Sequence, residues 1–161
     1  MSVWSALVGG FAGTLVLTTT LAAGSQLRLT RMDIPFLLGT AFTDDRTRAK
    51  VLGYALHFAN GLVFALVYYC GFAVLGRAGW KLGLLFGLAH ALFAGTTLVN
   101  VLLPAVHPRM GTPSSAADSS PLLESPGFML LNYGRTTPVL TILGHLAYGA
   151  IVGTFVDVSA R

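Results

Sequence analysis

The sequence is poor in charged side chains and in cysteine. Lys and Arg together number 10, and Asp and Glu together number 6, in a chain of 161 residues. These few charges lie in short stretches between long neutral runs, a pattern that excludes an ordinary soluble domain. The single cysteine, Cys70, excludes an intramolecular disulfide and leaves the redox compartment open.

Sequence motifs of the common enzyme classes are also missing. The chain has no phosphate-binding loop, no paired cysteines, no HExxH zinc motif and no GxSxG nucleophile elbow. None of its long neutral runs holds an Asp or Glu that a proton or cation pathway would use. The sequence therefore favours a protein that is not an enzyme.

Four long apolar runs dominate what is present. They extend over residues 1–27, 51–76, 82–108 and 136–156. Each exceeds the ~20 residues that a membrane-spanning helix requires. We predict an all-α membrane protein with four transmembrane helices, at about 3–24, 51–75, 80–103 and 138–157. The first run has no positive segment before it and is longer than the apolar core of a signal peptide, so we expect it to remain as a helix.

One sequence pattern occurs twice. An Arg-Met pair followed by Pro is found at Arg31, Met32 and Pro35 and again at Arg109, Met110 and Pro113. Each copy precedes an apolar run that carries His-x-Ala-x-Gly, beginning at His57 in the first copy and at His145 in the second. Repeated patterns mark repeated structural units. We therefore predict two tandem helix-hairpin repeats, residues 1–78 and 79–161, related by a pseudo-twofold axis along the membrane normal.

A short apolar segment lies between the two helices of each repeat, at residues 34–42 and 127–133. Both segments are too short to span a bilayer, so we expect them to lie in the interface or to re-enter the membrane. The second copy also carries a loop insertion at about 111–126, rich in Ser and Pro. We name the membrane face with these long connections face A, and the opposite face, with the connection 76–80, face B.

Glycine and aromatic positions indicate how the helices pack. Glycines spaced by four place small residues on one helix face, which lets two backbones approach closely. These pairs are Gly9 with Gly13, Gly83 with Gly87, and Gly149 with Gly153. Trp4, Tyr68, Tyr69 and Trp80 are expected to form an aromatic belt at face B.

The charge distribution bears on orientation and partners. More Lys and Arg residues lie near face A than near face B, so the positive-inside rule places face A in the cytoplasm. Anionic lipid head groups account for the net charge of +4, and no nucleic-acid partner is expected. Beyond the lipid bilayer itself, the glycine-rich helix faces would suit a homo-oligomer or a larger membrane complex.

Histidines at matching depth are the main candidates for a site. His57 and His145 each lie about two turns inside a helix from face A. Two imidazoles from symmetry-related helices would suit a bis-histidine haem b in a four-helix bundle. A transition-metal site is a second version, formed by the same pair with His107 or Met110, since imidazole and thioether suit copper.

Two other interpretations stay open. A buried histidine in a membrane bundle often acts as a hydrogen-bonded spacer that contributes about 0.6 kcal/mol and fixes helix register. Asn60 and Tyr148, each three residues after one of the paired histidines, lie on the same helix faces. A small transporter would instead use the polar seam along the third helix, namely His90, Thr96, Thr97 and Asn100.

Four short patterns carry a resemblance. They are Met-Asp-Ile-Pro at residues 32–35, His-x-Ala-Asn-Gly at 57–61, His-Pro-Arg-Met at 107–110 and Leu-Asn-Tyr-Gly at 131–134. Together they resemble a family of small bacterial four-helix integral membrane proteins of unknown function. The resemblance covers nearly the whole chain and implies a multi-pass protein of the bacterial cell (inner) membrane. It implies no activity.

We expect a multi-pass integral membrane protein, most simply a small binding or accessory subunit with a histidine-based haem or metal site. The alternatives are a purely structural or partner-binding membrane protein and a small oligomeric transporter.

Overall fold

The computed structural model describes residues 1–110 and 123–159. These residues are largely helical and contain no strand. The helices are α1 (Val3–Gln26), α2 (Ile34–Gly39), α3 (Arg46–Leu75), α4 (Trp80–Phe93), α5 (Leu103–Val106) and α6 (Thr137–Val158). A π-helical segment, Ala94–Leu102, joins α4 to α5, and a 3-10 segment, Phe128–Tyr133, precedes α6. Pro113 and most of the predicted loop insertion lie outside the described residues.

Four helical stretches are long and apolar enough to cross a membrane, as predicted. They are α1, α3, the continuous helix Trp80–Val106 and α6. α3 begins at Arg46, ahead of the predicted residue 51, so its first turns carry the charged residues of face A. The third span continues through Pro104, because this proline lies in the first turn of α5, where its missing N–H is not needed. The Leu103 N–H donates to the Leu98 carbonyl oxygen in the π-helical pattern.

Local capping explains where α2 and α3 begin and end. The Asp33 carboxylate accepts a hydrogen bond from the Phe36 N–H at 3.0 Å and caps α2. The Asp45 carboxylate accepts one from the Arg48 N–H at 2.7 Å and caps α3. α3 ends at Leu75 and is capped by Gly76, whose φ of +64° is a left-handed conformation that glycine adopts without strain.

Glycines let α4 approach the backbone of α6. A Cβ at Gly83 would overlap the carbonyl oxygen of Gly149, and a Cβ at Gly87 would overlap that of His145. Near face B, a Cβ at Gly153 would overlap the carbonyl oxygen of Gly79. The two helices therefore contact each other through backbone atoms, where Cα–H to oxygen contacts add to van der Waals attraction. The predicted close packing through these glycines is confirmed.

α1 packs against α6 in the same manner. A Cβ at Gly9 would lie 3.1 Å from the Val152 Cα, and one at Gly13 would lie 3.2 Å from the Tyr148 Cα. α3 packs chiefly on α1 and α2, and only lightly on α6. α6 is therefore the central helix, with α1 and α4 as its close neighbours.

The backbones of α3 and α4 stay apart although the two helices form a hairpin. Aromatic rings fill the space between them near face B, where Phe72 stacks on Phe86 with centroids 4.9 Å apart. Tyr68 is only 4% exposed and lies in this layer, so its predicted place in an aromatic belt is wrong. Its ring is needed to fill the hairpin. Trp4 and Trp80 are exposed, as a belt would require.

α2 is held against α3 by two glycines. A Cβ on Gly39 would overlap the Ala49 carbonyl oxygen, and a Cβ on Gly53 would overlap the Pro35 carbonyl oxygen. Side chains at either glycine would push the two helices apart. The first of the two short apolar segments predicted from the sequence is thus a helix packed on face A of the bundle.

Arg31 of the repeated motif links the first half of the chain to the second. Its backbone N–H donates to the Tyr133 carbonyl oxygen at 2.7 Å. Its guanidinium donates to the Asn132 carbonyl oxygen at 2.6 Å and pairs with the Glu124 carboxylate at 3.0 Å. The Tyr133 hydroxyl donates to the Glu124 backbone, and burial raises the pKa of Tyr133, with the Glu124 charge adding to the rise and Arg31 opposing it.

Arg109 makes the reciprocal link from the second half to the first. Its guanidinium pairs with the Asp44 carboxylate and donates to the Thr43 carbonyl oxygen. Met32 and Met110, which follow the two arginines, are each 3% exposed. In each Arg-Met pair, the methionine is therefore buried in the bundle. The arginine binds groups in the opposite half of the chain.

We predict that Gly149→Ala destabilises the protein by about 2–3 kcal/mol, because a methyl group there meets backbone atoms of α4 that have no room to move. Gly144→Ala on the same helix is the matched control. Its methyl group would meet only the tip of the Leu17 side chain, so its stability should stay within about 1 kcal/mol of the parent. Thermal unfolding of the detergent-solubilised protein measures both, and equal losses would contradict the proposed backbone contact.

Candidate ligand-binding cleft

A large cleft lies between α3 and the helix that runs from α4 to α5. Its volume of about 570 Å³ is within the range of small-molecule sites. α1 and α6 contribute its inner wall, and α2 closes it at face A. Representative lining residues are Leu17, Leu37, Ala59, Leu98, Leu103 and Tyr148.

The cleft opens toward the outer surface of the bundle. Phe42, Val63 and Val106 line it and are 70%, 57% and 79% exposed. In a membrane protein such exposed apolar side chains face lipid tails. A molecule dissolved in the bilayer can therefore reach the cleft without passing through water.

Most of the polar side chains of the cleft gather at one end, away from α2, which we name the polar end. They are Thr14, His57, His90, Thr141, His145 and Tyr148, whereas Asn60 and His107 line other parts of the cleft. The rest of the lining is almost entirely apolar, and none of the described lining residues is Asp, Glu, Lys or Arg. The cleft thus combines a long apolar body with a compact polar end that carries no permanent charge.

Two atoms at the polar end lack hydrogen-bond partners in the described part of the chain. They are His57 Nε2 and Thr141 Oγ1, on residues that are 9% and 2% exposed. An unpaired buried polar atom costs about 1–3 kcal/mol, so such atoms are rare and each requires an explanation. Because both residues line the same cleft, the polar part of a bound molecule would satisfy them together.

The other polar groups at this end are already paired. His145 Nδ1 donates to the Thr141 carbonyl oxygen at 2.8 Å, which leaves Nε2 of the neutral ring as an acceptor. His90 Nδ1 shares a hydrogen bond of 3.2 Å with the Tyr68 hydroxyl. The His90 and His145 rings lie 4.6 Å apart and nearly perpendicular. These contacts fix the two imidazoles and leave His57 as the unpaired one.

The two histidines predicted from the repeated pattern, His57 and His145, line the same cleft. Their neighbours differ in role, since Asn60 lies at the exposed edge of the cleft while the Tyr148 hydroxyl donates to the Gly61 carbonyl oxygen at 2.5 Å. Within residues 1–110 and 123–159, no group of three or more His, Cys, Asp or Glu side chains is arranged to hold a metal ion. Haem or metal binding by the pair stays a prediction.

His107 lies at the face A end of the cleft, apart from the pair. Its Nε2 donates to the Leu37 carbonyl oxygen at 2.9 Å, and its Nδ1 accepts from the Arg109 N–H at 3.1 Å. Both ring nitrogens are therefore engaged, and a metal at His107 would have to displace one of these bonds. Met110, the other predicted ligand, is buried. His107 ties α2 to the end of α5 and so closes the cleft at face A.

Much of the polar seam predicted along the third helix falls in the π-helical segment. Asn100 Nδ2 lies 3.1 Å from three carbonyl oxygens, those of Gly95, Thr96 and Gly127. Asn100 thus satisfies backbone groups of the helix and ties it to the 3-10 segment, instead of lining a passage. π-helical turns are frequent beside functional sites, and this one lines the cleft through Leu98.

Backbone strain also lies beside the cleft. Met129 and Leu130 in the 3-10 segment have φ values of +50° and +64°, which L-residues rarely adopt. Both are buried, and Leu130 lines the cleft. Strain of this kind persists where the surrounding packing over-determines the conformation, and it clusters at functional sites.

A second, smaller cavity lies between α1 and α3 and opens at face A. This crevice has a volume of about 220 Å³ and is lined by polar residues, among them Ser25, Gln26, Asp33, Lys50 and Tyr54. His57 lines it as well as the cleft.

Sequence reasoning missed two residues of the polar end. Thr141 belongs to no motif of the sequence, although it lies one helical turn before His145, a position from which its carbonyl oxygen reaches the imidazole. Tyr68 is expected at the membrane interface from its place in the sequence, whereas it is the partner of His90. The only available signal for Tyr68 was its place one turn before Phe72 on a helix that packs through aromatic rings.

Comparisons of the chain with protein-family models, with curated proteins and with solved structures give no match. The cleft and the residues that line it are therefore the basis for assigning a function.

We predict that His107→Ala destabilises the protein by about 2 kcal/mol, because it leaves the Arg109 N–H unpaired and removes one of the two hydrogen bonds that the Leu37 carbonyl oxygen accepts. His107→Gln retains a donor near the position of Nε2 and should recover about half of the loss. Thermal unfolding measures stability, and amide hydrogen exchange in α2 measures the detachment. A glutamine variant as unstable as the alanine variant would show that the bond to Leu37 contributes nothing.

Proposed function

We propose that the protein binds a neutral, lipid-soluble small molecule in the lateral cleft, with an oxygen-bearing head group at His57 and Thr141. The observation that carries this proposal is the pair of unpartnered, buried polar atoms at the end of an apolar cleft. Apolar pockets with a few convergent polar groups are typical of small-molecule sites.

The chemistry of the polar end favours an uncharged head group. A charged group buried in an apolar cleft without a counter-charge is costly, and the described lining offers no Asp, Glu, Lys or Arg. The Thr141 hydroxyl and His57 Nε2 can both donate, while His145 Nε2 can accept. An alcohol, phenol or quinone oxygen fits this set of partners, whereas a carboxylate or phosphate head does not.

This proposal specifies what the predicted small binding or accessory subunit would bind. A protein that holds a hydrophobic molecule within the bilayer needs no soluble domain and no catalytic motif. Transport gains less support, because the bundle between the polar end and face B is filled by the buried side chains of Phe72, Val152 and Val156. We propose, with the family resemblance, that the bilayer is the bacterial cell membrane.

Haem b or a transition metal is a second class of ligand for His57 and His145. It is favoured by the hydrogen bond from His145 Nδ1 to a carbonyl oxygen, which orients the ring as in many metal-ligating histidines. A Soret band or stoichiometric metal in the purified protein, lost in His57→Leu, would support it in place of a neutral amphipath.

We also propose that the chain consists of two tandem helix-hairpin repeats related by a pseudo-twofold axis. The reciprocal links of Arg31 and Arg109 at face A support this arrangement. So does the correspondence between α1 packed on α3 and α4 packed on α6. The axis would also relate the α1–α6 interface to the α3–α4 interface, and these two differ. α1 approaches α6 closely, whereas α3 and α4 stay apart.

We predict that Thr141→Val weakens binding of 4-decylphenol about five- to tenfold, because one hydrogen bond to the head group is lost. The same change should leave the unliganded protein as stable as the parent or more stable, because it removes an unpaired buried hydroxyl. Binding is measured by calorimetry, and stability by thermal unfolding, in lipid nanodiscs.

Thr154→Val is the matched control, since Thr154 is an exposed residue of the same helix that bonds only its own turn. It should bind the phenol as the parent does. 4-Decylbenzenesulfonate, which has the same body and a fixed negative charge, should bind at least about tenfold more weakly than the phenol. Equal affinity of the parent for both probes, or no binding of either, would refute the proposed neutral-head site.

A further inference from the structure

The cleft and the crevice meet at one hydrogen-bonding side chain. Four residues line both cavities, namely Leu21, Met32, Ile34 and His57. Only His57 among these four is polar. The His57 imidazole therefore lies between the polar crevice at face A and the apolar cleft in the membrane. An imidazole can both accept and donate a proton.

The crevice is suited to hold water. Ser25, Gln26 and Tyr54 line it, and Lys50 pairs with Asp33 within it at 3.4 Å. The side chains of this ion pair are 45% and 40% exposed, so the crevice is open to solvent at face A. Lys50 and Asp33 are the only charged groups among its described lining residues.

Beyond His57, polar groups continue for a short distance and then end. The rings of His145 and His90 touch, and His90 bonds the Tyr68 hydroxyl. Toward face B, the stacked rings of Phe72 and Phe86 come next and close the hairpin. The polar cluster therefore has an opening to water at face A and a closed end inside the membrane.

We infer that the head group of the bound molecule exchanges protons with water at face A, through His57 and the crevice, and not with water at face B. This inference rests on the proposed binding function and narrows its ligand. A site with access to water at its polar end suits a head group with an exchangeable proton. The cleft therefore takes a phenol or hydroquinone in preference to an ether or ester of the same shape.

The exchange involves protons alone. The hydroxyl of the head group gives its proton to one nitrogen of His57, which forms a phenolate–imidazolium pair with no net charge. A flip of the ring exchanges the two nitrogens, so the oxygen takes the other proton while the first now faces a water molecule in the crevice. The hydroxyl and the neutral ring are then restored. No bond between heavy atoms changes and no electron is transferred, so the step needs no other reactant.

The first test uses hydrogen–deuterium exchange at the imidazole C2 position, measured by mass spectrometry on the full chain in lipid nanodiscs. His57 should exchange at a measurable rate, and Ala22→Phe, which fills the crevice from α1, should slow it about tenfold. Ala23→Phe is the matched control, because Ala23 is exposed but does not line the crevice. An unchanged rate at His57 in Ala22→Phe would overturn the inference.

Sidedness is tested in sealed vesicles with Cys70→Ser/His57→Cys and a membrane-impermeant methanethiosulfonate. The reagent should label residue 57 only when it is added at face A, and Ala22→Phe should suppress the labelling. Labelling from face B would overturn the inference. If this variant does not fold, the exchange experiment on the native histidine still decides whether the crevice reaches His57.

The ligand class is tested with 4-decylphenol and its methyl ether, 4-decylanisole. The phenol should bind about fivefold or more tightly than the ether and should slow exchange at His57. Equal binding would leave a cleft ligand but refute the need for an exchangeable proton. A third outcome is that exchange at His57 depends on the crevice but no probe binds. This outcome would support the path to water and would refute the proposed function.

Discussion

The contact between the backbones of α4 and α6 is the constraint on which the rest of this bundle depends. Lipid tails are as apolar as the helices, so burial of apolar surface does little to drive helix association in a membrane. Contact at the distance set by Gly83 and Gly149 provides the van der Waals and Cα–H interactions that replace it. Because α6 is occupied by α4 and α1, α3 is left to pack on α1 and α2. The gap between α3 and α4 follows from that arrangement, and the cleft is this gap.

The polar groups inside the bundle divide according to whether they have partners. His145, His90 and His107 each use a ring nitrogen on a protein group, and their roles are explained by the fold. His57 and Thr141 each have a ring or hydroxyl atom without such a partner; both residues line the cleft, and His57 also lines the crevice. Inside a membrane, water is not available to pair with a polar group. Polar residues with protein partners therefore stabilise the fold, whereas polar residues without them are candidates for ligand binding.

The sequence was sufficient for features that depend on length and local spacing. Four spans follow from the apolar runs, and close packing of helices follows from glycines spaced by four, although the spacing does not say which helices meet. The sequence was insufficient wherever the direction of a side chain mattered. In a membrane helix the lipid-facing and core-facing surfaces are both apolar, so periodicity does not reveal which one Tyr68 or Thr141 occupies. The π-helical segment was unpredictable for a related reason, because its ladder depends on Asn100 and on contacts with the distant 3-10 segment.

The difference between the α1–α6 and α3–α4 interfaces has an evolutionary consequence. Stability is concentrated in the glycine contacts of α1, α4 and α6, whereas the width of the cleft is set by aromatic rings such as Phe72 and Phe86 on the other interface. Substitutions on α3 can therefore reshape the cleft while the glycine contacts remain intact. Related proteins can therefore change the molecule that they bind without compensating mutations elsewhere. Ligand preference should diverge faster among them than the packing of the bundle.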